Sequence, residues 1–131
     1  MSPDALVTDE LTNGRKLIER LIHDGFDIHL AFWVKETEAR QWFLYLSSPM
    51  VDNQGAGVAY RFILPIVVSM PELGIDLESI KLVGLKDSMT TAARKVLRPT
   101  PGLTRYSGSS LNGIDIDGAV LYPPFQPAAP A

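Results

Sequence analysis

Cysteine is absent from the whole chain, which excludes disulfides and thiolate metal sites, so core packing and hydrogen bonds must hold the fold. Histidine is nearly as scarce, with His23 and His29 only. No apolar run has the length of a membrane-spanning helix. The longest, residues 58–70, is about a third too short and carries Arg61 and Pro65. Residues 1–10 are polar and acidic, without the basic start and apolar stretch of an export signal. A cytoplasmic protein with no membrane partner is the expectation. Catalytic signatures are also missing. No Gly-x-Ser-x-Gly elbow occurs, and Gly55-Ala56-Gly57 lacks the lysine of a phosphate loop.

What the chain does have is length, at 131 residues, enough for one domain with a real core. Its net charge of −3 hides an asymmetry. Between Lys81 and Tyr106 six cations face one anion, a net of +5 that leaves −8 on the remainder. A solvated helix face explains such a block most simply. A nucleic-acid surface made of Lys86, Arg94, Lys95, Arg98 and Arg105 is the functional alternative.

The clearest pattern runs from Phe26 to Ser48. Phe26, Ile28, Leu30, Phe32 and Val34 alternate with Asp27, His29, Ala31, Trp33 and Lys35. In the second arm, Trp42, Leu44 and Leu46 alternate with Phe43 and Tyr45. Period two predicts two strands joined across the polar loop 36–40, with Pro49 ending the second. Apolar rings point to both faces of this hairpin. Water cannot lie against either face, so helices or a second chain must cover both.

Residues 9–24 carry an apolar stripe, Leu17, Ile18, Leu21 and Ile22, followed by Gly25 where a helix cap belongs. A loop is predicted over 52–57. A buried helix follows over 58–70, with Pro65 as a kink or as the boundary of a rival strand at 66–68. A third strand over 79–84 precedes a helix over 89–97, capped by Asp87 or Ser88, with Met89, Ala92, Ala93, Val96 and Leu97 inward. One or two short strands end the fold, turning at Asn112-Gly113 or Asp117-Gly118. The expected class is α+β, a mostly antiparallel sheet built on the 26–48 hairpin in the order α-β-β-α-β-α-β(-β), with helices packed on it. The domain spans 9–122, between a frayed 1–8 and a flexible Pro/Ala tail at 123–131.

Three chemistries remain to weigh. Asp24 and Asp27 could join His23 and His29 around a metal in a hydrolase, although simple capping explains them more economically. Residues 112–118 resemble a calcium loop, but Gly113 stands where its first aspartate should be. Glu36 and Glu38 sit on an exposed hairpin tip, with nothing to perturb them. A non-catalytic, cofactor-free protein is therefore expected, acting on another protein, with a second copy of itself the simplest partner. Trp33, Trp42, Phe43 and Tyr45 are the candidate contact residues.

Overall fold

A computed structural model describes residues 8–96 and 102–125. Arg98 and the outer tail residues 126–131 lie outside them, as do residues 1–7 of the expected frayed N-terminus. The helix α1 (Thr8–His23) buries Leu11, Gly14, Leu17, Ile18, Leu21 and Ile22. Gly25 follows at φ 100°, and the Phe26 amide turns back to the Leu21 carbonyl at 2.8 Å. This is the left-handed cap that the sequence signals.

β1 (Leu30–Glu36) and β2 (Gln41–Ser47) form the expected hairpin, with Phe32 opposite Tyr45 and Trp33 opposite Leu44. The first arm is shorter than predicted. Phe26 and Ile28 are buried but precede the strand, because the chain there is still turning off the helix.

Pro49 ends β2 and at once begins another helix. Ser48 caps α2 (Pro49–Gln54) by accepting from the Met50 amide, and Pro49 sits at its first turn, where no amide is needed. The loop predicted at 52–57 is thus largely helical. α3 (Ala56–Val68) runs through Pro65 unbroken, so the rival strand at 66–68 does not form. Two short 3₁₀ turns, Pro71–Leu73 and Leu77–Ser79, lead into β3 (Ile80–Val83).

α4 (Ser88–Val96) is capped by Asp87, whose carboxylate accepts from the Met89 amide at 2.8 Å. Met89 and Ala93 are buried, but Val96 faces solvent rather than the core, and Leu97 lies outside the described residues. β4 (Thr104–Tyr106), β5 (Ser110–Leu111) and β6 (Ile114–Leu121) complete the sheet. Asn112 and Gly113 take positive φ in the tight turn before β6. Asp117-Gly118 makes no turn. It lies within β6 where the register against Lys35 and Glu36 shifts, so the extra residue becomes a bulge.

The fold is α+β with a six-stranded sheet in the order β3-β2-β1-β6-β4, β5 pairing β6. The sheet is mixed: four of the five pairings among the described residues are antiparallel, in line with the mostly antiparallel expectation, and β3 runs parallel to β2, because the helical connection returns the chain to the starting end. Helices cover both faces. α1 and α3 close the face of Trp33, Leu44, Leu46, Val120 and Tyr122. α4 closes the face of Phe32, Val34, Phe43, Tyr45 and Leu121.

Candidate functional site

The four aromatic candidates divide between the two faces. Trp33 is 3 % exposed within a single chain, and its indole N–H donates to the Tyr122 hydroxyl at 2.8 Å. That hydroxyl donates in turn to the Leu11 carbonyl of α1 at 2.7 Å. Trp42 packs half-buried on the same face, and its indole nitrogen is buried with no acceptor among the described residues. On the opposite face, Tyr45 is 3 % exposed and stacks on Phe32 at 5.2 Å between ring centres. Phe43 is 9 % exposed, with the Lys81 ammonium 4.2 Å above its ring centre. The fold therefore covers both aromatic faces with its own chain, and none of the four is a wide-open contact residue.

Lys81 is more than a cover. Its Nζ donates to Glu36 Oε2 at 2.9 Å, and the Tyr45 hydroxyl donates to the same oxygen at 2.9 Å. Glu36, expected as an exposed tip residue, is thus partly buried and doubly bonded. Burial, then the bond to Glu36, pushes the Tyr45 phenol far above its ordinary value. Burial also pushes Tyr122 from 10.0 up to about 12, against the smaller opposite pull of its bond from Trp33 and of nearby Arg15.

This raised value sets the sign of the alkaline response. Above pH 10 the unfolded chain releases the Tyr122 proton while the folded chain keeps it, so stability falls as pH rises. Tyr122 alone is expected to contribute a loss of roughly 2 kcal/mol between pH 10 and pH 12, beside a loss of the same sign from Tyr45. Urea melts across that range are expected to show a shallower fall in Tyr122→Phe. An identical fall would assign the alkaline loss to other groups.

The other candidate sets are scattered. His29 Nε2 sits 3.0 Å from Asp27 Oδ2, whereas Asp24 pairs with Arg20 at 3.0 Å. His23 is exposed at the end of α1. The four do not converge, and among the described residues no three His, Asp or Glu side chains gather as a cation site. Asp115 and Asp117 of the calcium-like segment are exposed on β6, and Asp117 accepts from the Thr37 hydroxyl. Of the basic set, Lys86, Arg94, Lys95 and Arg105 are all exposed, but on a turn, a helix end and an edge strand. One juxtaposition is new: Arg94 lines a cleft of about 310 Å³ together with Asp27 and His29.

Two features escaped sequence reasoning. The first is α3. Apolar nearly all round, it was expected to be the most buried helix, yet it buries only Ala59, Ile63 and Val67. Leu64 is 43 % and Val68 66 % exposed. Spaced four residues apart with Tyr60, they form one ridge along the helix. The second is the groove beside that helix, about 530 Å³, lined by Tyr60, Leu77, Ile80, Leu82 and Val83 with Glu78 and Lys81. Its floor is the edge strand β3. Among the described residues no helix is long and apolar enough to cross a membrane.

No family model, curated protein or solved structure matches the chain.

Proposed function

We propose that this is a non-catalytic protein that binds another protein, and that the contact is made on the ridge of α3 and the groove beside β3. The observation that carries this reading is the exposure of Leu64 and Val68 on the most apolar helix of the chain. Isolated apolar residues on a surface are ordinary, but here two share a helical ridge with Tyr60, which itself lines an apolar groove. Of the aromatic candidates, Trp33 and Trp42 lie on the sheet face that α3 covers, whereas Phe43 and Tyr45 lie on the other. Trp33 and Leu44 lie in the core cluster against which Tyr60 and Leu77 pack.

Cross-linking from a photoreactive residue at position 68 would identify the partner, and reconstitution with purified partner would measure it. Leu64→Asp and Val68→Asp are expected to weaken that complex about tenfold or more. As surface changes they should shift stability by no more than about 0.5 kcal/mol. Wild-type affinity in both variants would sink the reading. If the cross-linked species is a second copy, sedimentation should show a dimer that both variants abolish.

The second reading, nucleic-acid binding through Lys86, Arg94, Lys95 and Arg105, has support from their exposure and from a cleft lined by Arg15 and Arg105 without a carboxylate. It requires affinity that collapses with salt. Filter binding at low salt with no retention of DNA or RNA would end it.

A further inference from the structure

β3 is an edge strand, with β2 on one side and, among the described residues, no strand on the other. Val83 turns its carbonyl toward the β2 side, where it accepts from the Ser48 amide at 2.9 Å. Backbone groups alternate along a strand, so those of Ile80 and Leu82 turn to the open edge. There they meet one side chain. The Tyr60 hydroxyl donates to the Ile80 carbonyl at 3.0 Å and accepts from the Leu82 amide at 3.1 Å. A phenol that gives one hydrogen bond and takes one, to groups two residues apart, stands where the peptide groups of a neighbouring strand would stand. Open edges of this kind attract strands, and proteins guard them.

We infer that the open edge of β3 is a strand-addition site, kept closed by Tyr60 until an extended segment of another protein displaces its hydroxyl. The inference rests on the binding reading above and names the form of the partner. The groove supplies apolar contact for every second side chain through Leu77 and Val83. Charge fixes the partner's chemistry further. Asp76 and Glu78, beside Leu77, are exposed and have no ion-pair partner among the described residues. Lys81, the groove's cation, is already held by Glu36. The partner segment therefore alternates apolar residues with lysine or arginine.

A fluorescein-labelled peptide of alternating valine and lysine tests this by anisotropy on the full chain. It is expected to bind wild type, and to bind Tyr60→Phe several-fold tighter, because no hydroxyl then occupies the edge. A fully N-methylated copy, with no backbone N–H to donate, is expected to bind about tenfold weaker or not at all. A copy with glutamate for lysine should also weaken. Equal binding of the N-methylated peptide would overturn strand addition while leaving apolar contact on α3 intact. Equal affinity of wild type and Tyr60→Phe would remove Tyr60 as the guard. No peptide binding to either protein would overturn the inference, and the cross-link from position 68 would still judge the α3 reading on its own. A Tyr60→Phe protein that sediments as a dimer without peptide would reassign the edge to a second copy.

Discussion

Replacing Trp33 with alanine is expected to cost about 3–5 kcal/mol of stability. The ring is buried between the sheet and α1, and its removal leaves a cavity that the neighbouring strand backbone cannot collapse to fill. The Tyr122 hydroxyl also loses its donor from Trp33 while keeping its bond to Leu11. For a domain whose total stability is on the order of 5–15 kcal/mol, this is a large share. Urea unfolding of the variant measures it. The same variant distinguishes core from interface. It should retain partner binding at temperatures where it stays folded, since Trp33 presents almost no surface. A Trp33→Ala protein with wild-type stability and lost binding would show that the ring's burial in the lone chain is not its role.

Gly14→Ala is the second large effect, and its sign opposes helix propensity. Alanine in a helix interior is favoured over glycine by about 1 kcal/mol. Gly14, however, faces the sheet at the point where Trp33 and Tyr122 approach the backbone of α1. A Cβ there would overlap the Tyr122 hydroxyl and come within 3.1–3.2 Å of the Trp33 ring. Neither group can yield easily, because each is fixed by the bond between them and Tyr122 also by Leu11. Overpacking of this kind costs about 1–3 kcal/mol or more, and a contact this close belongs at the upper end, so after the propensity gain a net loss of about 1–2 kcal/mol is expected. Removing the offending oxygen tests the cause. In a double-mutant cycle, Tyr122→Phe should recover part of the loss from Gly14→Ala, a coupling of about 1 kcal/mol. A Gly14→Ala protein more stable than wild type would refute the packing argument.

The parts of this fold that the sequence makes legible are those decided locally. Alternation through Leu30–Glu36 and Gln41–Ser47 is enough to place the hairpin and assign its faces. Gly25 and Asp87 mark helix ends through chemistry confined to one turn. α2 was also legible in principle: Ser48-Pro49 is a cap followed by a helix-starting proline, but the turn-rich Asp52-Asn53-Gln54 obscured it. The parallel pairing of β3 was not legible, because it depends on where a long connection returns. Nor was the bulge at Asp117, which is set by the register of β1.

The candidate site was still less legible. Composition says that α3 is apolar. Composition cannot say that the sheet takes only the Ala59-Ile63-Val67 stripe and leaves Leu64 and Val68 outside. Tyr60 gives no local signal at all. Its hydroxyl matters only because β3 is the last strand on its side of the sheet.

The central strand β1 has one neighbour, β2, close by in the chain and the other, β6, at residues 114–121. During synthesis the hairpin therefore emerges with one whole border bare until residues 114–121 have been made. Sequence-distant pairing of this type folds slowly. Phe32, Trp33 and Val34 lie on that bare border, so a stalled or C-terminally truncated product would present the stickiest part of the chain to its neighbours. Loss of the last strand should thus be punished by precipitation before it is noticed as loss of binding.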